Sequence, residues 1–495
     1  VQINPNYDDA FCGLVFVEMT LCHWETRDAS YKRVADYVAR ALKDTTRSEK
    51  QQCVQPFRGF PYPLDTSLNL EIARDVIKDA ARVLSYQPKH SFGPILFSLK
   101  PKDTRLHIGY ISSDFGGHTV GSLIRSMFSF HDKSRVHVSC FASGHSERNE
   151  WRVKMEMDAD DFNDIKGHTD WDAAQLIHDK KIHVLIDLNG HSKGSRPGIL
   201  LRRPSPCVLT WLGYPATSGG FADGLVADRW VQPPEMVSHL SERLLLTAGT
   251  YFITDHKQLY PRPFNRKEDD RAANGFPPKG PIFGSFGQLY KIEPRLFDIW
   301  CRLLHKVDNS SLWLLSFPTS ASPQIKAEAR RRGITSQLVT TPLLPLRDHV
   351  AIKASADVAL DTLLFNAHST GADTLWAGLP VVTLPGDRMA ARVGASMASS
   401  LGTTVAVVRT LEDYEEVAAR LAAPGVAKRY YGDPSETELF DSRRWVRDWE
   451  TALRLWWDNE AALHQEAKAE VRDASKAKFH VITAHRAKPH TQTSA

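Results

Sequence analysis

Residues 366–376 read Asn366-Ala367-His368-Ser369-Thr370-Gly371-Ala372-Asp373-Thr374-Leu375-Trp376, and they follow an apolar run, Val358-Ala359-Leu360-Asp361. This pattern predicts a strand, a short polar loop and the start of a helix. In a parallel α/β sheet, such a junction presents backbone N–H groups and the positive end of the helix dipole to an anion. Two hydroxyls and an imidazole add to those donors here, and Asp373, one helical turn further on, suits ribose hydroxyls. Taken alone, the stretch is more often an ordinary helix N-cap.

The alternation of strand and helix extends over most of the chain. Short apolar runs, typical of parallel strands buried on both faces, occur at 106–112, 136–142, 183–188, 207–211 and 225–229, and again at 282–286, 312–316, 337–341, 357–361, 381–384 and 404–408. A connector rich in charge, Pro and Gly separates the two blocks. We therefore expect two doubly wound domains facing across a cleft, with a nucleotide at the carboxyl ends of one sheet.

The segments around these blocks are predicted to be helical. Residues 1–45 resemble the end of a tetratricopeptide repeat array, although an unrelated helical cap fits equally; a partial repeat cannot bury its own face, so we expect further repeats before Val1. Residues 410–470 are expected to return and clamp the pair, before a basic, disordered tail. The predicted domains are 1–45 (repeat-like helices), 46–105 (helical linker, with a helix at 68–84), 106–254 (N-terminal lobe), 255–281 (connector), 282–467 (C-terminal lobe) and 468–495 (tail).

The composition excludes several classes of protein. The 495 residues are 42% hydrophobic and 24% charged, which is ordinary for a globular protein with large cores. A net charge of +4 is too small to favour nucleic-acid binding, and no run of eighteen apolar residues predicts a membrane span. The six scattered cysteines predict buried free thiols in a reducing compartment. The lack of a P-loop, a GxGxxG fingerprint and a nucleophile triad weighs against kinases, dehydrogenases and hydrolases.

Two loops carry candidate reactive groups. His118 follows the first strand of the first block in a loop with two glycines, where an imidazole can accept a hydroxyl proton, although a lone loop histidine is more often structural. Lys291 follows the first strand of the second block and can neutralise a departing diphosphate; alone, it is more often a surface lysine. Asp158-Ala159-Asp160 matches a DxD metal motif, but we interpret it as the solvated end of a helix and expect no metal.

Three further loops suit a close approach of ligand, with plain turn chemistry as an even alternative. His349 is placed to stack on a nucleobase whose edge the backbone of Leu344 and Pro345 can read. The loop 211–219, with Gly213 and Pro215, suits a sugar or a peptide, and the loop 189–194 ends another strand in the same way.

Together these loops resemble the catalytic region of the nucleocytoplasmic protein O-GlcNAc transferase family, over residues 4–460. The resemblance rests on four strings in the right order: Ile108-Gly109-Tyr110-Ile111-Ser112-Ser113-Asp114-Phe115, Trp211-Leu212-Gly213-Tyr214-Pro215, Gln288-Leu289-Tyr290-Lys291-Ile292 and His368-Ser369-Thr370-Gly371-Ala372-Asp373. It implies an α/β fold with two Rossmann-like lobes of the GT-B type and an N-terminal helical repeat remnant. The implied activity is inverting, metal-independent transfer of GlcNAc from UDP-GlcNAc to Ser or Thr hydroxyls of proteins in the cytoplasm and nucleus.

The resemblance also implies residue roles. His118 is the general base, Lys291 and Gln288 contact the diphosphate side of the donor, His349 stacks on uracil, His368, Ser369 and Thr370 hold the phosphates, and Asp373 takes the ribose. The expected partners are protein or peptide acceptors and the UDP-sugar, with no nucleic acid, membrane or metal cofactor, and with oligomerisation through further repeats.

The sequence departs from the family pattern in three respects. The connector is short, Leu346 stands where the family has a ribose-contacting lysine, and Phe365 stands where it has a cysteine beside the N-acyl pocket. Two alternatives stay open: a protein O-fucosyltransferase that uses GDP-fucose, and a non-catalytic repeat-scaffold adaptor.

Overall fold

The computed structural model describes residues 8–44, 53–86, 92, 105–144, 148–260, 271, 275–469 and 481–483. The chain forms two compact units, each made of two stretches of sequence. Unit 1 comprises Val1–Ile72 and His256–Phe440, and unit 2 comprises Ala73–Asp255 and Asp441–Ala495. Each unit contains one parallel sheet, as the two blocks of apolar runs predict.

The sheet of unit 2 has eight parallel strands in the order β13-β7-β6-β5-β4-β1-β2-β3. The central strands are buried on both faces, which explains their continuous apolar runs. The strands are β1 (Leu106–Ser112), β2 (Val136–Ala142), β3 (Asp161–Asp164), β4 (Val184–Asp187), β5 (Cys207–Thr210), β6 (Gly224–Ala227), β7 (Arg243–Leu246) and β13 (Val481–Thr483). The first two match the predicted bounds, and the predicted strands at 183–188, 207–211 and 225–229 are confirmed in shorter form.

Helices cover this sheet, and the longest of them comes from the C-terminal end of the chain. Trp445 and Trp449 of this helix stack on Trp211, with ring centroids 5.0 and 5.1 Å apart. The C-terminal lobe predicted at 282–467 therefore differs from unit 1, which ends at Phe440 because this tryptophan face packs in unit 2. The helices of unit 2 are Thr119–Ile124, Met127–Phe130, Glu150–Asp158, Asp170–Asp179, Pro197–Leu200 and Ser442–Ala469.

The sheet of unit 1 has five parallel strands in the order β10-β9-β8-β11-β12. The run at 404–408 was expected to be a sixth strand, but Val407 makes only an isolated bridge to Thr383. The strands are β8 (Ile282–Ser285), β9 (Ser311–Leu315), β10 (Leu338–Thr341), β11 (Val358–Leu360) and β12 (Val381–Val382). The helices are Asp8–Thr20, Arg27–Lys43, His256–Leu259, Pro294–Lys306, Ser322–Arg331, Leu346–Ile352, His368–Trp376, Val393–Ser400 and Leu411–Ala422, while Thr66–Ser85 runs from unit 1 into unit 2.

The two N-terminal helices are part of unit 1 rather than a separate domain. Trp24 packs edge-on against Phe297 at 5.5 Å, and Arg27 pairs with Glu293 at 3.1 Å. These contacts place the helices against Pro294–Lys306. The helical prediction for this segment is confirmed, and its origin in a tetratricopeptide repeat stays a prediction.

Two further expectations need correction. Cys12 and Cys53 form a disulfide with their Cα atoms 5.7 Å apart, so only Cys22, Cys140, Cys207 and Cys301 are the buried free thiols that the sequence predicts. The tail was expected to be disordered, but Val481–Thr483 pairs with β7 as an edge strand; residues 470–480 and 484–495 lie outside the described residues. In the part of the chain that is described, no helix has the length and apolarity needed to cross a membrane.

Candidate functional site

The polar loops of unit 1 meet at the carboxyl edge of its sheet. β8 leads into Gln288 and Lys291, β10 leads into Leu344, Pro345 and His349, and β11 leads into the helix that begins at His368 and carries Ser369, Thr370 and Asp373. Carboxyl ends of parallel strands lie at one edge, so the predicted donor-binding residues share one side of the sheet. Their roles in binding stay predictions.

The helix start at His368 is not closed by a side-chain cap. Ala367 occupies the N-cap position and supplies no capping group. Among the described residues, neither the Ser369 nor the Thr370 hydroxyl has a hydrogen-bond partner. The hydroxyls that the sequence pattern left open as N-caps are therefore available, together with the first-turn N–H groups, to an anion.

His368 is held in one tautomer by its backbone partner. Its Nε2 lies 3.0 Å from the carbonyl oxygen of Ala390, which can only accept, so Nε2 carries the proton. Burial, helped by the charge of Lys291, lowers the pKa of His368 to about 3. The ring is therefore neutral at pH 7, and Nδ1 is left with a lone pair.

Lys291 supplies the cation of this edge. Its Nζ donates to the carbonyl oxygen of Asn366 at 2.9 Å. Burial lowers the pKa of Lys291 to about 8, although the nearby charge of Asp361 opposes this change. The amine is thus mostly charged at pH 7 and would gain from an anionic ligand that replaces its lost hydration.

A second cluster surrounds Asp373, deeper in the same unit. The Oδ1 atom of Asp373 lies 2.9 Å from Nε2 of His256, and Oδ2 lies 3.5 Å from Nζ of Lys353. Lys353 also donates to the carbonyl oxygen of His349 at 3.1 Å. Burial raises the pKa of Asp373, but the charge of Lys353 and the bond from His256 outweigh it and hold that pKa at about 2. A carboxylate has about four acceptor positions, so Asp373 can still accept from a ribose hydroxyl.

His349 and Lys353 lie side by side in this cluster, and both are buried. Burial, with the charge of Lys353, lowers the pKa of His349 to about 4, so its ring is neutral and suited to stack on a base. Sequence reasoning missed both Lys353 and His256. A lysine on a short helix looks like a surface residue, and no local signal links either side chain to Asp373.

The candidate base lies in unit 2, at the carboxyl edge of the other sheet. His118 is the N-cap of the helix Thr119–Ile124 and is 54% exposed. Its Nδ1 accepts from the backbone N–H of Val120 at 3.3 Å and lies 3.5 Å from Oδ2 of Asp114. Asn189 donates through Nδ2 to Asp114 at 3.1 Å and to Ser113 Oγ at 2.7 Å. The loops after β1 and β4 are therefore joined by hydrogen bonds, and the N-cap bond from Val120 orients the imidazole beside Asp114.

The loop after β5 is constrained by close backbone packing. Leu212 has a left-handed φ of 68°, and a Cβ on Gly213 would lie 1.8 Å from the carbonyl oxygen of Leu188. Pro215 is buried two residues later. In the neighbouring strand β4, burial raises the pKa of Asp187 to about 7, although this carboxyl accepts from the backbone N–H of Gly190 at 2.7 Å. Gly213 thus permits the close approach of two backbone segments, and its role toward a sugar or peptide stays a prediction.

The DxD motif has cationic partners within the protein. Asp158, the last residue of its helix as expected, pairs with Lys154 at 2.7 Å, and Asp160 pairs with Lys133 at 3.4 Å. Nor does any group of three or more His, Cys, Asp or Glu among the described residues have an arrangement suited to a metal ion.

Two parallel sheets, each with its polar loops at the carboxyl edge, are the architecture of GT-B glycosyltransferases. The model of glycosyl transferase family 41 matches residues 21–271 and 268–448, and the chain belongs to this family. This confirms the family resemblance and the fold class that the sequence predicts.

Sequence similarity to curated proteins supports this family assignment. The chain is 34% identical over 451 residues to the probable UDP-N-acetylglucosamine–peptide N-acetylglucosaminyltransferase SEC of Arabidopsis thaliana, covering 88% of this chain and 46% of that protein. It is 28% identical to the UDP-N-acetylglucosamine–peptide N-acetylglucosaminyltransferase of Caenorhabditis elegans, covering 88% of this chain and 48% of that protein. The chain thus spans about half the length of these curated relatives. An O-GlcNAc transferase mutant from Thermobaculum terrenum has the same fold, with a TM-score of 0.74, 24% identity, and coverage of 92% of this chain and 85% of that one.

Proposed function

We propose that this chain is the catalytic region of a protein O-GlcNAc transferase, which moves GlcNAc from UDP-GlcNAc to Ser or Thr hydroxyls with inversion and without a metal. The observation that carries the proposal is the group formed by Lys291 and the uncapped helix start at His368. A fixed cation, backbone N–H groups and two hydroxyls with no partner among the described residues are what a leaving diphosphate needs. The names of the relatives support GlcNAc as the sugar.

In the proposed reaction, the acceptor oxygen attacks C1 of the sugar from the face opposite the diphosphate. The new C–O bond forms as the bond from C1 to the diphosphate oxygen breaks, and UDP leaves with the electron pair. His118 takes the acceptor proton, and the Asp114 carboxylate lies 3.5 Å from its Nδ1. The charge on the departing UDP is stabilised by Lys291 and the helix start.

The direct test uses purified chain, labelled UDP-GlcNAc, labelled GDP-fucose and a Ser/Thr peptide library. We expect transfer from UDP-GlcNAc only. Lys291→Met should lower kcat about 100-fold if the ammonium stabilises the leaving group. Lys326→Met, a change of an exposed lysine in the same unit, should leave kcat unchanged. Transfer of fucose would favour the first alternative, and no nucleotide binding would favour the adaptor.

Metal independence and stereochemistry have their own tests. EDTA should leave the rate unchanged, whereas loss of turnover on chelation with recovery on Mg²⁺ or Mn²⁺ would refute the metal-free mechanism. NMR of the anomeric proton in the product peptide should show the β-linked sugar from an α-linked donor.

We also propose a location in the cytoplasm and nucleus, with protein acceptors as partners. The four buried free thiols fit a reducing compartment, while the Cys12–Cys53 disulfide is unusual there. Cell fractionation combined with counting of free thiols would decide the matter, because two further reactive thiols are expected after denaturation if the bond is reduced in the cell.

A further inference from the structure

Three phenylalanines form an aromatic wall next to Lys291: Phe57, Phe60 and Phe365. The Nζ atom of Lys291 lies 3.6 Å from the centroid of the Phe365 ring, over its face. Phe57 meets this ring edge-on at 6.0 Å, and Phe60 meets it at 5.1 Å. Phe60 and Phe365 are both buried, so the ring that faces the ammonium is held by close packing with other aromatic side chains.

The backbone at Phe365 is also fixed. The Thr362 hydroxyl donates to the carbonyl oxygen of Phe365 at 2.6 Å, and the Asn366 amide donates to the carbonyl oxygen of Thr362 at 2.6 Å. The carbonyl oxygen of Asn366 in turn accepts from Lys291. One short loop therefore presents both a ring face and a carbonyl oxygen to the same ammonium.

These two contacts leave part of the ammonium available. An ammonium has three donors, and within the described residues the Asn366 carbonyl is its hydrogen-bond acceptor. Asp361 attracts Lys291 without pairing with it. Its oxygens accept instead from the backbone N–H of Ala367, the backbone N–H of Thr362 and the Thr383 hydroxyl, each at 2.9 Å.

The same ring contacts the start of the neighbouring helix. Phe365 meets His368 edge-on, with centroids 5.2 Å apart. The imidazole and the ammonium are thus both set against one rigid side chain. An aromatic face attracts a cation without supplying a full negative charge, so it can hold a lysine in place without competing for its charge as a carboxylate would.

We propose that Phe365, backed by Phe57 and Phe60, is a positioning residue that holds the Lys291 ammonium in its charged form and directs its remaining N–H donors at the donor diphosphate. The identity of that ligand rests on the proposed function; the hold on Lys291 does not. The ring acts through Lys291 and takes no part in bond making.

The test measures the titration of Lys291 itself. In protein labelled with ¹³C at lysine Cε, the Lys291 signal is assigned by its loss in Lys291→Arg and followed by NMR from pH 6 to 11. Wild type should titrate near pH 8, because burial lowers the pKa of Lys291 to about 8. Phe365→Leu keeps the site apolar but removes the π face, so the pKa of Lys291 should fall further, by about one pH unit. Phe365→Tyr keeps the aromatic face, so the pKa of Lys291 in this variant should equal that of the wild type.

Phe297→Leu is the matched control, because Phe297 is a buried phenylalanine of the same unit that packs on Trp24. It should leave both the Lys291 titration and UDP affinity unchanged. Phe365→Leu should weaken UDP binding about tenfold by calorimetry at about pH 9, because above both pKa values the charged fraction of Lys291 falls about tenfold when its pKa falls by one unit. If Phe365→Leu does not fold, Phe365→Met removes the same face.

The outcomes separate the two proposals. An unchanged or raised pKa of Lys291 in Phe365→Leu overturns the role of the wall, even if transfer proceeds normally. If the pKa of Lys291 falls in Phe365→Leu but the wild type neither binds UDP nor transfers sugar, the role of the aromatic wall stands and the proposed function is refuted. Among the described residues, the titratable groups whose charge interacts with Lys291 are Asp361 and His368, and neither is altered in these variants.

Discussion

Replacing Asp373 by asparagine should destabilise unit 1, because it removes the negative charge from a buried cluster. The Asp373 carboxylate accepts from His256 at 2.9 Å and lies 3.5 Å from Nζ of Lys353, whose side chain is fully buried. Asparagine keeps the shape and an acceptor for His256. It leaves the Lys353 ammonium without its carboxylate partner.

The magnitude follows from the protonation of the pair. The pKa of Asp373 is lowered from 3.8 to about 2, which corresponds to about 2 kcal/mol. Since the folded-state pKa lies below the unfolded one, this contribution is present above pH 4 and is lost as the pH falls toward 2. Burial already lowers the pKa of Lys353 to about 8, so an unpaired Lys353 adds a further cost. We therefore expect Asp373→Asn to lose about 3 kcal/mol at pH 7, the lower end for breaking a buried pair.

The assay is urea unfolding at pH 7, followed by tryptophan fluorescence and near-UV circular dichroism. Asp387→Asn is the matched control, because it makes the same change in the same unit, at an ion pair with Arg388 where the Asp387 side chain is 64% exposed; it should cost under about 1 kcal/mol. Lys353→Met completes a double-mutant cycle, and the double variant should recover about 2 kcal/mol of the summed losses. A loss no greater than in the control, or a coupling energy near zero, would refute the reasoning.

Three other predictions concern the rest of the molecule. In wild type, kcat/KM should fall to about half between pH 7 and pH 8 and by about tenfold per pH unit above pH 9, because burial lowers the pKa of Lys291 to about 8 and the charged form is required; a pH–rate profile that stays flat to pH 10 would contradict this. Gly213→Ala should abolish transfer or folding, since the new Cβ would lie 1.8 Å from the Leu188 carbonyl oxygen; a crystal structure with the loop unmoved would count against it. Glu450→Leu should cost about 2 kcal/mol in unit 2, measured by urea unfolding, because the backbone N–H of Asp132 donates to Oε1 at 2.8 Å and would lose its acceptor where the Glu450 side chain is only 2% exposed; an unchanged midpoint would disagree.

The fold could be predicted where burial on both faces leaves a continuous apolar run. β1 and β2 appear at their predicted bounds for this reason. β3 was missed because its sequence, Asp161-Phe162-Asn163-Asp164, is polar, as an edge strand can be. The placement of the C-terminal helix depends on Trp445 and Trp449 meeting Trp211, more than two hundred residues earlier, and no local pattern encodes that contact.

The site could be predicted only as far as strand ends determine it. Lys291 and His368 follow neighbouring strands, so the topology alone predicts that they share one edge. The partners that set their chemistry come from distant sequence. Phe57 and Phe60 lie about three hundred residues before the ring that they support, and the Cys12–Cys53 bond likewise joins two separate segments. Periodicity and motif spacing hold no information about such contacts.

The tautomer of His368 decides how charge is shared at this edge. The sequence predicts that His368 donates a hydrogen bond to a phosphate. However, the neutral ring donates its single proton to the carbonyl oxygen of Ala390, so Nδ1 presents a lone pair, and a lone pair repels a phosphate oxygen. A neutral His368 can therefore accept a hydrogen bond at Nδ1 from a hydroxyl of the sugar nucleotide, and it needs a second proton before it can donate to a phosphate oxygen. Burial, more than the charge of Lys291, holds the pKa of His368 at about 3, so the ring does not gain a second proton merely because a diphosphate matches the Lys291 charge. In the free protein, the positive charge at this edge thus rests on Lys291 and on the first-turn N–H groups, which is why the ring that holds Lys291 matters more to the donor than the histidine next to it.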